Sequence, residues 1–268
     1  MESYLTVAIA AAQKAGEVIQ DGAKHVGCLN VEQKSLNDFV SEIDLKAEKT
    51  IREFLTNHFP DHRILGEEYG VSQKSSNYEW VVDPLDGTTN FLRGIPHYAV
   101  SIALLVNDQV NVAVIFDPAK NDLFTAISGQ GAFLNGTRIK IRSNGSIVGG
   151  LLATGVPFSG RQLERVDQFS EAMIGLLRQQ TAGIRRLGAA ALDLAYLAAG
   201  RYDGFWEANL QKWDIAAGCL LVVEAGGCVC DFNGKQNYLT SGNILAGSAA
   251  AVEEMLPVIK SAYKSEDF

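Results

Sequence analysis

Apolar positions recur at helical spacing from Tyr4 to about Ala23, an alanine-rich run with a natural stop at Gly27, and they predict a first helix. Leu45, Ala47, Ile51, Phe54 and Leu55 carry the same spacing to Phe59, where Pro60 closes a second helix. Arg63-Ile64-Leu65 predicts a short strand, and Trp80-Val81-Val82 reads as the end of another. Ala99–Val106 and Val110–Phe116 are β-rich runs separated by a short Asn107-Asp108 turn, and Leu123–Ile127 adds a further strand, which predicts an antiparallel sheet. Asn135-Gly136 lies between Ala132-Phe133-Leu134 and Arg138-Ile139-Lys140. It predicts a hairpin, because a type I′ turn needs positive φ at both central positions.

The second half alternates. Leu151–Thr154 predicts a strand and Leu163 to about Gln179 a helix. Gly188-Ala189-Ala190 opens a helix through about Ala199, and Tyr202–Glu207 reads as a strand. Lys212-Trp213-Asp214 sits just before a small-residue helix, Ile215–Ala225, that Gly226-Gly227 ends. Cys228–Asp231 is expected to be the final strand, followed by a terminal helix near Val252–Tyr263. Alternation of this kind argues an α/β layer. The glycine-containing connection at 143–150, where the pattern changes, places a soft boundary between 1–146 and 147–268 within one compact unit.

Composition narrows the class. A chain of 268 residues with 47% hydrophobic content can bury a sizeable core. With 23 basic against 31 acidic residues, a net charge of −8, direct binding to nucleic acid or to an anionic membrane is disfavoured. Cys28, Cys219, Cys228 and Cys230, with no secretory leader ahead of them, suggest reduced thiols in a cytoplasm. Cys228-x-Cys230 lacks the second ligand pair of a zinc site and reads as two small buried residues on one strand face. Every apolar run stops well short of the roughly 20 residues that span a bilayer.

Candidate chemistry concentrates in WVVDPLDGTTNF, Trp80 to Phe91. Asp83 and Asp86 arrive where a strand stops at Pro84, and the small polar run Gly87-Thr88-Thr89-Asn90 suits a helix opening with amides free for an anion. Carboxylates suit a hard cation such as magnesium, and free amides suit phosphate. Other phosphate chemistries fail on spacing: Gly234-Lys235 has Val229 and Gln236 where a P-loop needs glycine and a hydroxyl, and no Asp-x-Asp offers an aspartyl nucleophile. Water activated by metal remains, for which carboxylates suffice. Plainer readings stand beside this one. Asp83 and Asp86 can simply cap the following helix, Ser41 and Asp44 can form a capping box, and the acidic loop Gly66-Glu67-Glu68-Tyr69-Gly70 can be solvated surface.

WVVDPLDGTTNF, with Gly66-Glu67-Glu68 upstream and WDIAAG (Trp213–Gly218) and EAGG (Glu224–Gly227) downstream, resembles the inositol monophosphatase family over nearly the full length, most closely its bacterial members. Lys34-Ser35, Asp38-x-Val40-Ser41-x-x-Asp44, Asn135-Gly136 and Arg185-x-x-Gly188 fall where that family has its motifs. The resemblance implies an α/β (α+β layered) fold, an αβαβα five-layer sandwich in which 1–146 binds metal and phosphate and 147–268 completes the substrate site. It implies two to three Mg2+ ions: Glu67, Asp83 and the Leu85 carbonyl for one, Asp83, Asp86 and Asp214 for a second, and a water on Glu67 for a third. Asp44, Thr88 and Glu67 become the groups that orient and deprotonate the attacking water. Gly87 and Thr88 amides become the phosphate cradle, and Asp86, Gly188, Ala189, Ala190, Glu207 and Asp214 become contacts of the substrate. Ala189 stands where a serine or threonine is usual, so one hydroxyl contact is lost.

The implied reaction is hydrolysis of inositol monophosphate by in-line attack of water without a covalent phosphoenzyme, with lithium inhibition and a homodimeric assembly. Rival substrates are other sugar or polyol phosphates, fructose 1,6-bisphosphate, a nucleotide 3′-phosphate, NADP and histidinol phosphate. A rival of another class is a regulatory protein of transcription complexes, because the bacterial branch includes members linked to them.

Overall fold

The computed structural model describes residues 1–35, 37–157 and 160–263; the side chains of Cys28, Ser35 and Asp38, named above, lie outside the described residues. The chain opens with helix α1 (Glu2–Ala23), a hairpin of β1 (Val31–Ser35) and β2 (Asp38–Ser41), and helix α2 (Glu42–His58). Then come β3 (Arg63–Gly66), β4 (Gly70–Val71), β5 (Tyr78–Asp86), the short helix α3 (Thr88–Leu92), β6 (Ala99–Val106), β7 (Gln109–Asp117), β8 (Asp122–Ile127), β9 (Gly131–Leu134) and β10 (Thr137–Ile139). The second half runs β11 (Leu151–Thr154), α4 (Val166–Arg178), β12 (Gly183–Arg185), α5 (Ala190–Ala198), β13 (Gly204–Glu207), α6 (Lys212–Glu224), β14 (Cys228–Cys230), α7 (Tyr238–Ser241), β15 (Ile244–Gly247) and α8 (Ala249–Ala262).

Strands of the first half form an eight-stranded sheet in the order β10-β9-β8-β7-β6-β5-β3-β4, antiparallel except for the parallel pair β3 and β5. Strands of the second half form a five-stranded mixed sheet, β12-β11-β13-β15-β14. Side chains on β5 alternate between its faces as the pleat requires. Trp80 and Val82 bury against Ala8, Ala12, Ile51 and Leu55 of α1 and α2, while Val81 joins the core under α5 and α6. That second core unites Leu192, Leu194, Ala217 and Leu221 with Ala103 and Phe124 of the large sheet and Ala153, Phe205 and Ala246 of the small one. On the outer face of the small sheet, Leu176 of α4 and Met255 and Ile259 of α8 cover Leu152, Trp206 and Leu245. Helix, sheet, helix, sheet, helix is the expected five-layer order.

Local chemistry accounts for the boundaries. Asn135 and Gly136 take φ of 49° and 77°, so the predicted type I′ geometry joins β9 to β10. Ser41 accepts the Ile43 amide and Asp44 accepts the Ser41 amide, so α2 begins with the predicted capping box. Other expectations need correction. Helix α6 starts at Lys212, not Ile215, so Trp213 and Asp214 lie in its first turn. Cys228–Cys230 is not the last strand: β15 enters antiparallel between β13 and β14. Cys228 is exposed while Cys230 is buried: the two share a strand face, as expected, but Cys228 opens the edge strand β14, where that face is not yet covered. No helix among the described residues is long and apolar enough to cross a membrane.

Candidate active site

Register brings the first two acidic residues together. Gly66 pairs with Val82 across the parallel β3 and β5, and the Glu67 amide donates to the Val82 carbonyl at 3.2 Å, which seats Glu67 beside Asp83. Beyond that pair β5 loses its ladder. Asp83 pairs with Ser101 but Asp86 with Ala99, so three steps on one strand oppose two on the other, a bulge at the proline that cannot donate. Asp83, two residues from Val81, already faces the α5 and α6 layer, and the bulge turns Asp86 to the same side, where it meets α5. Asp83, 1% exposed, accepts the Leu85 amide at 3.0 Å.

Helix starts supply the remaining groups. Asp44 Oδ2 accepts from the Ser41 amide (2.8 Å) and hydroxyl (2.5 Å), and its Oδ1 accepts from Thr88 Oγ1 at 2.8 Å. Thr88 Oγ1 is also 3.0 Å from the Leu85 carbonyl, and with a single proton it serves one of the two acceptors at a time. Ala191 donates to Asp86 Oδ2 at 2.7 Å, tying the bulge to the first turn of α5 across 105 residues. Gln211 donates to Asp214 Oδ2 at 2.6 Å, and Ser101 Oγ reaches the Trp213 carbonyl at 3.3 Å, so the first turn of α6 lies over β6 beside Asp83. Gly87, at φ 92°, packs where a Cβ would meet the His97 carbonyl at 3.0 Å and the Ala189 methyl at 3.3 Å. Asn90 Nδ2 donates to the carbonyls of His97 and Leu187, both at 2.8 Å, fixing α3 against the segment that bears Gly188, Ala189 and Ala190.

Burial and mutual repulsion set the electrostatics. Burial first, and then the charges of Glu67, Asp86 and Asp214, raise the Asp83 carboxyl well above the usual range. Asp86 is pushed up to about 7 by burial, with Glu207 and Glu67 adding and the α5 amides opposing. Asp214 is raised well above its usual range by burial and Asp86. Burial and then Asp214 push Glu207 to about 8, against Arg186 and the Gly155 amide. Asp44 rises by burial, opposed by Ser41 and Thr88. Glu67 rises mainly by burial, and Lys34 opposes: its Nζ lies 3.1 Å from Glu67 Oε1 and 2.7 Å from Glu68 Oε1.

Glu67, Asp83, Asp86, Asp214, Glu207, Asp44 and Thr88 therefore form one chain of contacts and charges, as do Gly87, Gly188, Ala189 and Ala190 at its edge. Among the described residues, no three His, Cys, Asp or Glu side chains already stand at ion-holding geometry; Glu67 is turned onto Lys34. The donor set nonetheless suits magnesium. It is all oxygen, without imidazole or sulfur, and its carboxylates repel one another in a buried setting that a divalent cation relieves. Lys34, Glu68, Asn90 and Asp193 were not foreseen in these positions. Lys34 and Glu68 carried a signal, lying within family motifs, while Asn90 and Asp193 enter through contacts made 97 residues away and through burial.

A layered α/β protein whose central helices start at a buried carboxylate cluster is the class that fold and site define. Residues 1–264 match the model of the inositol monophosphatase family, and the chain belongs to that family. It is 46% identical to the Nus factor SuhB of Pseudomonas aeruginosa over 263 residues, 97% of either chain. It is likewise 46% identical over 257 residues to the Nus factor SuhB of Escherichia coli, covering 96% of this chain and 95% of that one. Among solved structures, extragenic suppressor protein suhB from Bartonella henselae superposes with a TM-score of 0.91 at 40% identity, over 98% of this chain and 100% of that one. An IMPase of Thermotoga maritima superposes at 0.88 with 34% identity and 98% coverage of each.

Proposed function

We propose that the protein is a magnesium-dependent phosphomonoesterase that hydrolyses inositol monophosphate to inositol and phosphate, with breadth toward other sugar and polyol phosphates. The observation that carries this reading is the Thr88–Asp44 hydrogen bond of 2.8 Å beside Glu67 and the Asp83–Asp86 bulge, closed from the far half by Asp214. Glu67, Asp83, the Leu85 carbonyl, Asp86 and Asp214 are the groups that would hold Mg2+, whose bound form lowers the pKa of water and neutralises a leaving alkoxide. The chain's own residues do the rest. Thr88 and Asp44, with Glu67, take the proton of the attacking water and orient it. Gly87 and Thr88 amides hold phosphate oxygens, and Glu207 and Asp214, with Ala190, receive the polyol hydroxyls. The small residue at 189 leaves that end of the pocket without a hydroxyl, consistent with breadth. Phosphate release across a panel of inositol monophosphate, fructose 1,6-bisphosphate, a nucleotide 3′-phosphate, NADP and histidinol phosphate, with Mg2+ and in chelator, tests the assignment. No magnesium-dependent release from any of them would refute it.

A second reading is favoured by the relatives named Nus factor SuhB: a part in transcription complexes, retained beside the phosphatase. Pull-down of transcription proteins by the parent and by a phosphatase-dead variant separates the two roles. The free thiols of Cys219, Cys228 and Cys230 support a cytoplasmic setting, and family likeness supports a homodimer.

A further inference from the structure

Helix α2 carries two buried carboxylates one turn apart on the same face: Asp44, 1% exposed, and Glu48, fully buried. A carboxylate without solvent must be paired or hydrogen-bonded. Glu48 finds its partners in the loop that bears Glu67. Its Oε2 accepts the Glu68 amide at 2.6 Å, and its Oε1 accepts the Tyr69 amide at 3.2 Å. Arg52, one turn further along α2, donates from Nε to Glu48 Oε1 at 2.6 Å and from Nη2 to the Gly70 carbonyl, and its guanidinium lies over the Tyr69 ring. At the near end, Gly66 approaches so closely that a Cβ there would stand 2.0 Å from Glu48 Oε1. Glu48 and Arg52 thus hold the backbone after Glu67 by hydrogen bonds and Glu48 packs against Gly66 before it, while the Glu67 amide is held by Val82.

From this geometry we propose that Glu48 is a positioning residue: it fixes the Gly66–Gly70 loop so that Glu67 keeps its place relative to Asp83, and thereby sets the affinity of the site for divalent cations. The inference rests on the metallophosphatase reading. Asp44 and Glu48 share one helix face but hold different partners, Thr88 and the Glu67 loop, so loosening Glu48 acts on Glu67 and spares the Asp44–Thr88 bond.

The test reads metal binding directly, by calorimetry with Mn2+ on the full chain, beside Mg2+ activation of phosphate release. Glu48→Gln should weaken Mn2+ binding roughly tenfold, the usual scale for a group that orients a ligand. The Mg2+ concentration for half-maximal activity should rise by a similar factor, with KM at saturating Mg2+ unchanged. In a Glu67→Gln background, Glu48→Gln should have no further effect on Mn2+ affinity. Gly66→Ala, which displaces the same carboxylate from the other side, should reproduce the loss, so the question is answered even where Glu48→Gln does not fold. Mn2+ affinity at the parental value in either folded variant, or an equal loss with and without Glu67, overturns the inference while leaving the phosphatase reading standing. A parent chain that binds no Mn2+ overturns both.

Discussion

Replacing Thr88 with valine removes one hydroxyl at constant shape and separates the proton-handling pair from the rest of the site. In the parent, Asp44 Oδ1 accepts from Thr88 at 2.8 Å while Oδ2 keeps the Ser41 amide and hydroxyl. The variant leaves Oδ1 of a carboxylate that is 1% exposed without that donor. An unpaired buried acceptor costs about 1–3 kcal/mol, and in a chain of this size each kcal/mol lowers Tm by roughly 2–4 °C. The α2 cap survives, because it uses Oδ2, so the fold persists. Turnover should suffer more than stability, since losing a positioned acid–base group costs roughly 10²–10⁴-fold in rate. Phosphate release at saturating Mg2+, with thermal unfolding alongside, measures both quantities. Mn2+ affinity should change little: the one proposed metal-holding group that Thr88 Oγ1 reaches is the Leu85 carbonyl, at 3.0 Å, and that oxygen keeps its lone pairs for the ion when the hydroxyl is removed. Thr88→Ser should recover most of the rate. Parent-like turnover in Thr88→Val would refute the assignment of this pair to the chemistry.

Three further outcomes are expected. Asp83→Asn should nearly abolish magnesium-dependent hydrolysis and leave metal-free stability equal or higher, because it removes a buried charge opposed by Glu67, Asp86 and Asp214; substantial residual turnover in phosphate-release assays counts against the bridging role. Lithium titrated into the same assay should inhibit by competing for a magnesium position, and an unchanged rate argues against it. Asp193, 1% exposed with Oδ1 unpartnered, is raised well above its unfolded value by burial and by Glu207 and Asp86, so the native state binds the extra proton. Its contribution is therefore complete below the ordinary aspartate pKa and is lost as pH rises toward the native value. Urea unfolding should show Asp193→Asn gaining on the parent with rising pH above about 4, and a pH-independent difference would contradict this.

The distribution of what could be read in the chain has physical causes. Helical spacing, the capping box at Ser41–Asp44 and the Asn135-Gly136 turn are local, and each stands where the residues predict it. Strand β15 escaped because Ile244–Gly247 is only four residues long, and its pairing to β13 is written nearly 40 positions away. At the site, Asp83, Asp86, Gly87 and Thr88 are visible as one stretch, but nothing local says that the Ala191 amide will cap Asp86 or that Glu48 will clamp the Glu67 loop. Those contacts depend on tertiary placement of helix starts. Glu224 of EAGG is a similar case: its two oxygens accept the Gly129 and Gly131 amides at 2.6 and 2.7 Å, joining the end of α6 to the β8–β9 turn.

Asp83 and Asp86 do not cap the helix that follows them, since α3 starts after Gly87 without a side-chain cap. At Asp44, Asp86 and Asp214, however, holding a helix start and serving the site are not alternatives. Asp44 caps α2, Asp86 takes an amide from the first turn of α5, and Asp214 takes the Gln211 amide at the start of α6. Helix amides, at the positive ends of their dipoles, hold these side chains in place and offset part of the repulsion that burial would otherwise make prohibitive. Asparagine can still accept such an amide through its carbonyl oxygen but cannot carry the charge. Aspartate-to-asparagine variants at 44, 86 and 214 therefore keep the caps, and with them the layer geometry, while removing the charge a cation needs at 86 and 214 and the proton acceptor paired with Thr88 at 44. A protein in which those variants unfolded would have aspartates chosen for structure; one in which they fold and lose Mn2+ binding or turnover has a fold that positions its chemistry through its helix starts.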